Sequence, residues 1–203
     1  MRNYALETEK RIEFIRGVLQ CAGARGIVYG NGGGKDSALA CILCKMACED
    51  TLGLIMPCGS KRNYGEDRAD AEAAAKQYGI ASRVIYLSGA KEALSGAVGA
   101  HTQLSDAALA NMAPRLRMAA LYAVAASKNR LVAGTGNRSE IHMGYFTKWG
   151  DAACDFNPIA DLTVTEVYAF LRHLGAPACV IDKAPSAGLF DGQTDEGFLS
   201  RHR

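Results

Sequence analysis

The chain is short of several things that would have named a class at once. No apolar run is long enough to span a bilayer, and the opening stretch from Met1 to Arg16 carries charge at amphipathic-helix spacing rather than a secretory leader. A cytoplasmic protein with no membrane partner is therefore expected. Neither charge sign is in surplus: 23 basic against 21 acidic residues leave a formal +2, so nothing argues for a nucleic-acid face. Histidine is scarce, with four copies at 101, 142, 173 and 202 in no catalytic spacing, which argues against a His-based nucleophile system. Aromatics make up only 7% of the chain, and low-complexity linkers and internal repeats are missing, so 203 residues fit one domain over 1–203 with a core able to fold without staples.

Cysteine is the exception, with seven copies, an odd number for a disulfide framework in a chain without a leader. Cys41, Cys44 and Cys48 fall at i, i+3, i+7 and so share one helical face. A metal site would want a fourth ligand and a second, well-separated pair. Packing as small buried hydrophobes suits them better.

The informative segment is Ile27-Val28-Tyr29-Gly30-Asn31-Gly32-Gly33-Gly34-Lys35-Asp36-Ser37, an apolar strand-like run that enters a glycine turn and then opens a helix. Glycines let backbone N–H groups approach an anion, and the helix start adds partial positive charge. An aspartate beside phosphates is repulsive unless a divalent cation lies between them, so Asp36 predicts magnesium as well as nucleotide. The common ATPase loop, Gly-x4-Gly-Lys-Ser/Thr, does not fit, because Lys35 precedes an aspartate. The dinucleotide fingerprint G-x-G-x-x-G lacks its last glycine here.

Periodicity predicts a helix over 3–22, a strand over 26–30, a helix over 36–49 and a strand over 51–57. A helix over 66–78, a strand over 83–87, a long helix over 105–127, a short strand over 131–133 and a helix over 163–174 follow. Alternating strands and helices imply an α/β fold with a Rossmann-like, mostly parallel sheet flanked by helices. In such sheets ligands sit beyond the carboxyl ends of the strands, where the loops at 30–37, 56–60 and 134–140 converge. Glu140, at the end of the last loop, reads either as a helix-start acid or as a second carboxylate for the metal of Asp36. Arg117 reads equally as a ligand or an exposed helix charge. Tyr145, Phe146 and Trp149 could stack on a ring or fill core.

The glycine turn resembles the Ser-Gly-Gly-x-Asp-Ser signature of the ATP pyrophosphatases, which cleave ATP between its α- and β-phosphates. Gly134-Thr135-Gly136-Asn137-Arg138-Ser139-Glu140 and Gly144-Tyr145-Phe146-Thr147-Lys148-Trp149-Gly150-Asp151 narrow this, for together they resemble the ammonia-dependent NAD synthetases. The likeness runs on through 111–118, Asp155-Phe156-Asn157-Pro158, Asp161-Leu162-Thr163 and the stretches 185–189 and 192–196. It implies the adenine nucleotide alpha hydrolase-like fold, also called N-type ATP pyrophosphatase. It also implies ATP- and magnesium-dependent amidation of deamido-NAD by ammonia through an adenylated intermediate, and a homodimer. Residue by residue, the likeness puts ATP at Gly30, Asn31, Gly32, Gly33, Gly34, Lys35, Asp36, Ser37, Thr135 and Ser186. It assigns magnesium to Asp36 and Glu140, deamido-NAD to Arg115, Lys148 and Asp155, and catalytic roles to Asp36, Ser37 and Lys148.

The likeness departs in three places. Gly32 stands where the family has its first serine, and Val164 stands where the family carries a lysine that meets ATP. The chain also stops at Arg203, where relatives continue into a basic tail, and no amidohydrolase domain precedes it. Free ammonia is thus the expected nitrogen donor. A paralogue that binds nucleotide without turnover, and another ligase of the ATP pyrophosphatase type, remain open beside the synthetase.

Overall fold

The computed structural model describes residues 2–59 and 64–182. Helix α1 (Tyr4–Ala22) leads into β1 (Gly26–Gly30), α2 (Lys35–Ala47) and β2 (Thr51–Ile55). Then come α3 (Glu66–Gln77), β3 (Ala81–Val84), α4 (Ser88–Gly99), α5 (Asp106–Lys128) and β4 (Arg130–Ala133). Helices α6 (Arg138–Met143), α7 (Val164–His173) and α8 (Ala178–Ile181) complete the described chain.

All strand pairs are parallel, in the order β3-β2-β1-β4. Strand β1 is buried on both faces, and its side chains alternate between two cores. Ile27 and Tyr29 join Ile15 of α1, Leu39, Ile42 and Leu43 of α2, and Phe170 and Leu171 of α7. Val28 packs the other way, with Leu54, Met56, Leu87, Ala113, Ala125 and Val132. Cys41 and Cys44 lie in the first core, buried as expected, and their thiol pKa values are raised by burial, that of Cys41 to about 12.

Several sequence expectations shift: β2 ends at Ile55 rather than at its proline, β3 begins at Ala81, and α8 was not predicted. Strand β3 ends at Val84 rather than Leu87, yet Ile85 N and Leu87 N still donate to Ile55 O and Pro57 O, so the ladder continues loosely alongside a proline that offers no N–H. Helix α4 was not anticipated. Its sequence holds Gly89, Gly96 and Gly99, which depress helix propensity, and none of its residues is buried.

Candidate functional site

Chain order decides where the site forms. From the central β1 the chain crosses to β2 on one side, whereas β4 lies on the other, so the strand order reverses between β1 and β4. Loops leaving the carboxyl ends at such a switch point diverge and open a crevice. A cavity of about 730 Å³ lies there, lined by the glycine turn except Gly33, the end of β2, the loop after β4 and residues 144–147 and 150–154. That volume suits a small-molecule ligand.

The turn is held from outside. Asn31, 4% exposed, donates its side-chain amide to Ala71 O of α3 at 3.0 Å, while its backbone N–H donates to Leu54 O of β2. Gly33 has φ +70°, and a Cβ there would lie 2.3 Å from Asp67 O, so only glycine fits the turn. Gly32 differs: a Cβ there meets nothing within 4 Å. Ser37 folds its hydroxyl back onto Gly34 O at 2.9 Å.

Asp36 and Glu140, which the resemblance assigns to magnesium, come together around Lys35. Helix α6 begins with a capping box in which Asn137 accepts from Glu140 N while Glu140 Oε2 accepts from Asn137 N, fixing that carboxylate. Asn137, fully buried, also donates from Nδ2 to Asp36 Oδ1 at 3.0 Å. Between the two acids sits the Lys35 ammonium, 2.8 Å from Asp36 Oδ2 and 4.0 Å from Glu140 Oε1. Burial opposes its charge, but the carboxylates outweigh burial and raise its pKa. Two fixed carboxylates that already gather a cation fit a hard divalent ion, which takes one or two protein carboxylates and completes its shell with phosphates and water. Among the described residues no cluster of three His, Cys, Asp or Glu offers an all-protein alternative.

Other expected residues divide. Gly30, Gly32, Gly34, Thr135 and Ser37 line the cavity. Arg115, Lys148 and Asp155 do not. They are exposed nearby: Arg115 Nε donates to Lys148 O at 3.3 Å, and the Lys148 ammonium lies 5.7 Å from the Trp149 ring. Asp155 accepts from Val132 N at 2.7 Å and from Tyr122 hydroxyl at 3.2 Å, so it also pins β4 to α5. Ser186 and the stretches 185–189 and 192–196 lie outside the described residues. Arg117 resolves toward the site. It lines the cavity, donates from Nε to Met56 O at 3.0 Å, and has its pKa lowered by burial. Trp149 is 69% exposed and so is not core.

Asn137 is the residue that sequence reasoning missed as a site group. The Asn-x-x-Glu spacing of a capping box was its readable signal, but its reach to Asp36 required the pairing of β4 with β1. Val164 opens α7, one turn from the cavity-lining Tyr168, and its N–H donates to Ser139 Oγ of α6 at 3.3 Å.

Known proteins carry the same architecture. The family model described as NAD synthase matches residues 7–201. An NH(3)-dependent NAD(+) synthetase of Carboxydothermus hydrogenoformans is 47% identical over 198 residues, covering 96% of this chain and 80% of the relative. One from Archaeoglobus fulgidus is 41% identical, covering 96% and 78%. Among solved structures, an NMN synthetase from Francisella tularensis superposes with a TM-score of 0.91 at 36% identity, covering 98% of this chain and 82% of that one. An NH3-dependent NAD synthetase from Campylobacter jejuni gives 0.82 at 33%, covering 100% and 84%. On the strength of this match and of the crevice between β1 and β4, the chain belongs to the NAD synthase family and is a ligase.

Proposed function

We propose that the crevice binds ATP with its phosphates on the glycine turn, and that the chain uses it to amidate deamido-NAD with ammonia. The observation that carries this reading is the convergence of Asp36 and Glu140 beside that turn, both fixed by Asn137. A carboxylate is a poor electrophile, because its charge repels nucleophiles and it lacks a leaving group. Adenylylation removes both faults. The nicotinate carboxylate attacks the α-phosphorus in line and expels pyrophosphate. Ammonia then adds to the acyl carbon, AMP departs, and one proton is released. Magnesium, held by Asp36 and Glu140, would offset charge on the polyphosphate.

The chain's own part is positioning and electrostatics. The glycine turn and Thr135 line the pocket together, so free backbone N–H groups of the turn would meet the phosphates there. Arg117, tethered to Met56 O, presents a fixed guanidinium at the wall. Arg115, Lys148 and Asp155 stand outside the cavity on an exposed surface, which suits a dinucleotide whose far end extends beyond the ATP crevice. Helix α4 supports a homodimer, since none of its residues is buried and Leu94 and Val98 are exposed. The free thiols suit a cytoplasmic setting.

A second acceptor is favoured by one observation, the TM-score of 0.91 with a protein titled NMN synthetase. In that reading nicotinate mononucleotide takes the place of deamido-NAD, with the same adenylylation and ammonia steps. One assay separates the two. The protein is incubated with ATP, magnesium and ammonium, together with each acceptor in turn, and NAD, NMN, AMP and pyrophosphate are measured. NAD with matching AMP is expected from deamido-NAD. Higher kcat/KM for the mononucleotide would transfer the assignment, and ATP binding without product from either would leave only a nucleotide binder.

A further inference from the structure

We infer that Lys35 is the resident cation of the metal seat, filling the space between Asp36 and Glu140 so that a divalent ion enters together with the nucleotide and not before it. The inference rests on the reading of Asp36 and Glu140 as metal ligands. Its physical basis is the way their four carboxylate oxygens are shared out. Asp36 Oδ1 accepts from Asn137 Nδ2, and Glu140 Oε2 accepts from Asn137 N. The other oxygen of each acid, Oδ2 and Oε1, faces the same ammonium, at 2.8 and 4.0 Å. Lys35 is only 7% exposed, so its charge is enclosed by the seat rather than shared with solvent.

A bare divalent ion approaching this seat meets two acids whose charge is already half neutralised. It must also displace an ammonium that has nowhere comparable to go, because a buried cation without a partner is costly. Nucleotide phosphates change both conditions. They contribute oxygen ligands to the metal, and they give Lys35 an alternative anionic partner at the turn Gly32–Gly34 that immediately precedes it in the chain. Metal and nucleotide affinities are therefore coupled, and by linkage the coupling is reciprocal. Lys35 is thus a positioning residue that sets the order in which the site fills.

The test is Mn2+ binding to the full chain, read by ultrafiltration as the metal retained with the protein above a protein-free control holding the same nucleotide, with and without an ATP analogue bearing a methylene between the α- and β-phosphates. Wild type should bind Mn2+ weakly alone and much more tightly with the analogue. Lys35→Met should raise the nucleotide-free affinity by about tenfold or more, because the competing charge a few ångströms away is gone. Lys35→Arg should stay near wild type. Lys35→Gln replaces the methionine variant if that one does not fold. Tight nucleotide-free binding by wild type, or no gain in either neutral variant, overturns the inference while leaving the ligands in place. Absence of protein-bound Mn2+ even with the analogue would instead remove Asp36 and Glu140 as ligands, and the inference with them.

Discussion

Asn137 and Asp36 are 101 residues apart in sequence and 3.0 Å apart in space, joined by a hydrogen bond from the asparagine amide to the aspartate carboxylate. The same asparagine caps α6, so one buried side chain both starts a helix and aims an acid. Loss of an N-cap costs about 1 kcal/mol. Asn137→Ala should therefore lower stability by about 1–2 kcal/mol in denaturant unfolding, and should reduce kcat more than stability alone explains. Wild-type turnover in a folded Asn137→Ala protein would show that Asp36 needs no such guide.

Adjacent glycines of the turn should respond in opposite ways. Gly33→Ala places a methyl 2.3 Å from Asp67 O in a left-handed conformation, so the turn must move and ATP binding should fall steeply. Gly32→Ser adds a hydroxyl in open space on the cavity wall. A hydrogen bond to a charged phosphate contributes about 1.5–3 kcal/mol, so ATP should bind roughly tenfold or more tightly. Calorimetric titration of both variants with ATP checks the contrast.

Val164→Lys restores a cation near the site at the first position of α7, one turn before the cavity-lining Tyr168. A lysine at a helix start is opposed by the dipole by about 0.3–1 kcal/mol, so a small loss of thermal stability should accompany the change. KM for ATP should drop several-fold. If it does not move, the missing lysine is no handicap here.

Stability should fall on acidification through Glu166. Its carboxylate accepts from Thr163 N in the cap of α7 and pairs with Arg2 at 2.8 Å, which together hold its pKa down at about 2 against an ordinary 4.5. A group whose pKa is depressed by folding contributes stability above the unfolded value and loses it as pH drops toward the folded one. The difference in melting temperature between wild type and Glu166→Gln should thus be largest near neutrality and shrink between about pH 4.5 and 2. A difference that does not vary with pH would place the effect in packing.

Much of the fold is legible in the sequence alone. The strand at 26–30 was readable because an unbroken apolar run feeds a glycine turn, and that pattern has few other structural solutions. Asp36 could be placed at a helix start beside the turn because the glycine run feeds directly into an Asp-Ser pair. Helix α4 was hidden, since its contacts with the core are too few to impose a period and its glycines argue against helix. The enclosure of Lys35 and the turning inward of Arg117 were hidden for another reason. Each depends on a partner brought from a distant segment, Glu140 for one and Met56 for the other, and local pattern carries no information about such pairs.

The order β3-β2-β1-β4 also has a consequence for the birth of the protein. Strands β1, β2 and β3 can pair as each emerges, but Glu140 follows β4, which docks on β1 only after the long connection through α4 and α5. Pairings of such wide sequence separation carry a large loop-closure cost. A chain that has formed only β1 to β3 therefore displays the glycine turn without Asn137 and Glu140, and its Asp36 lacks the amide that orients it.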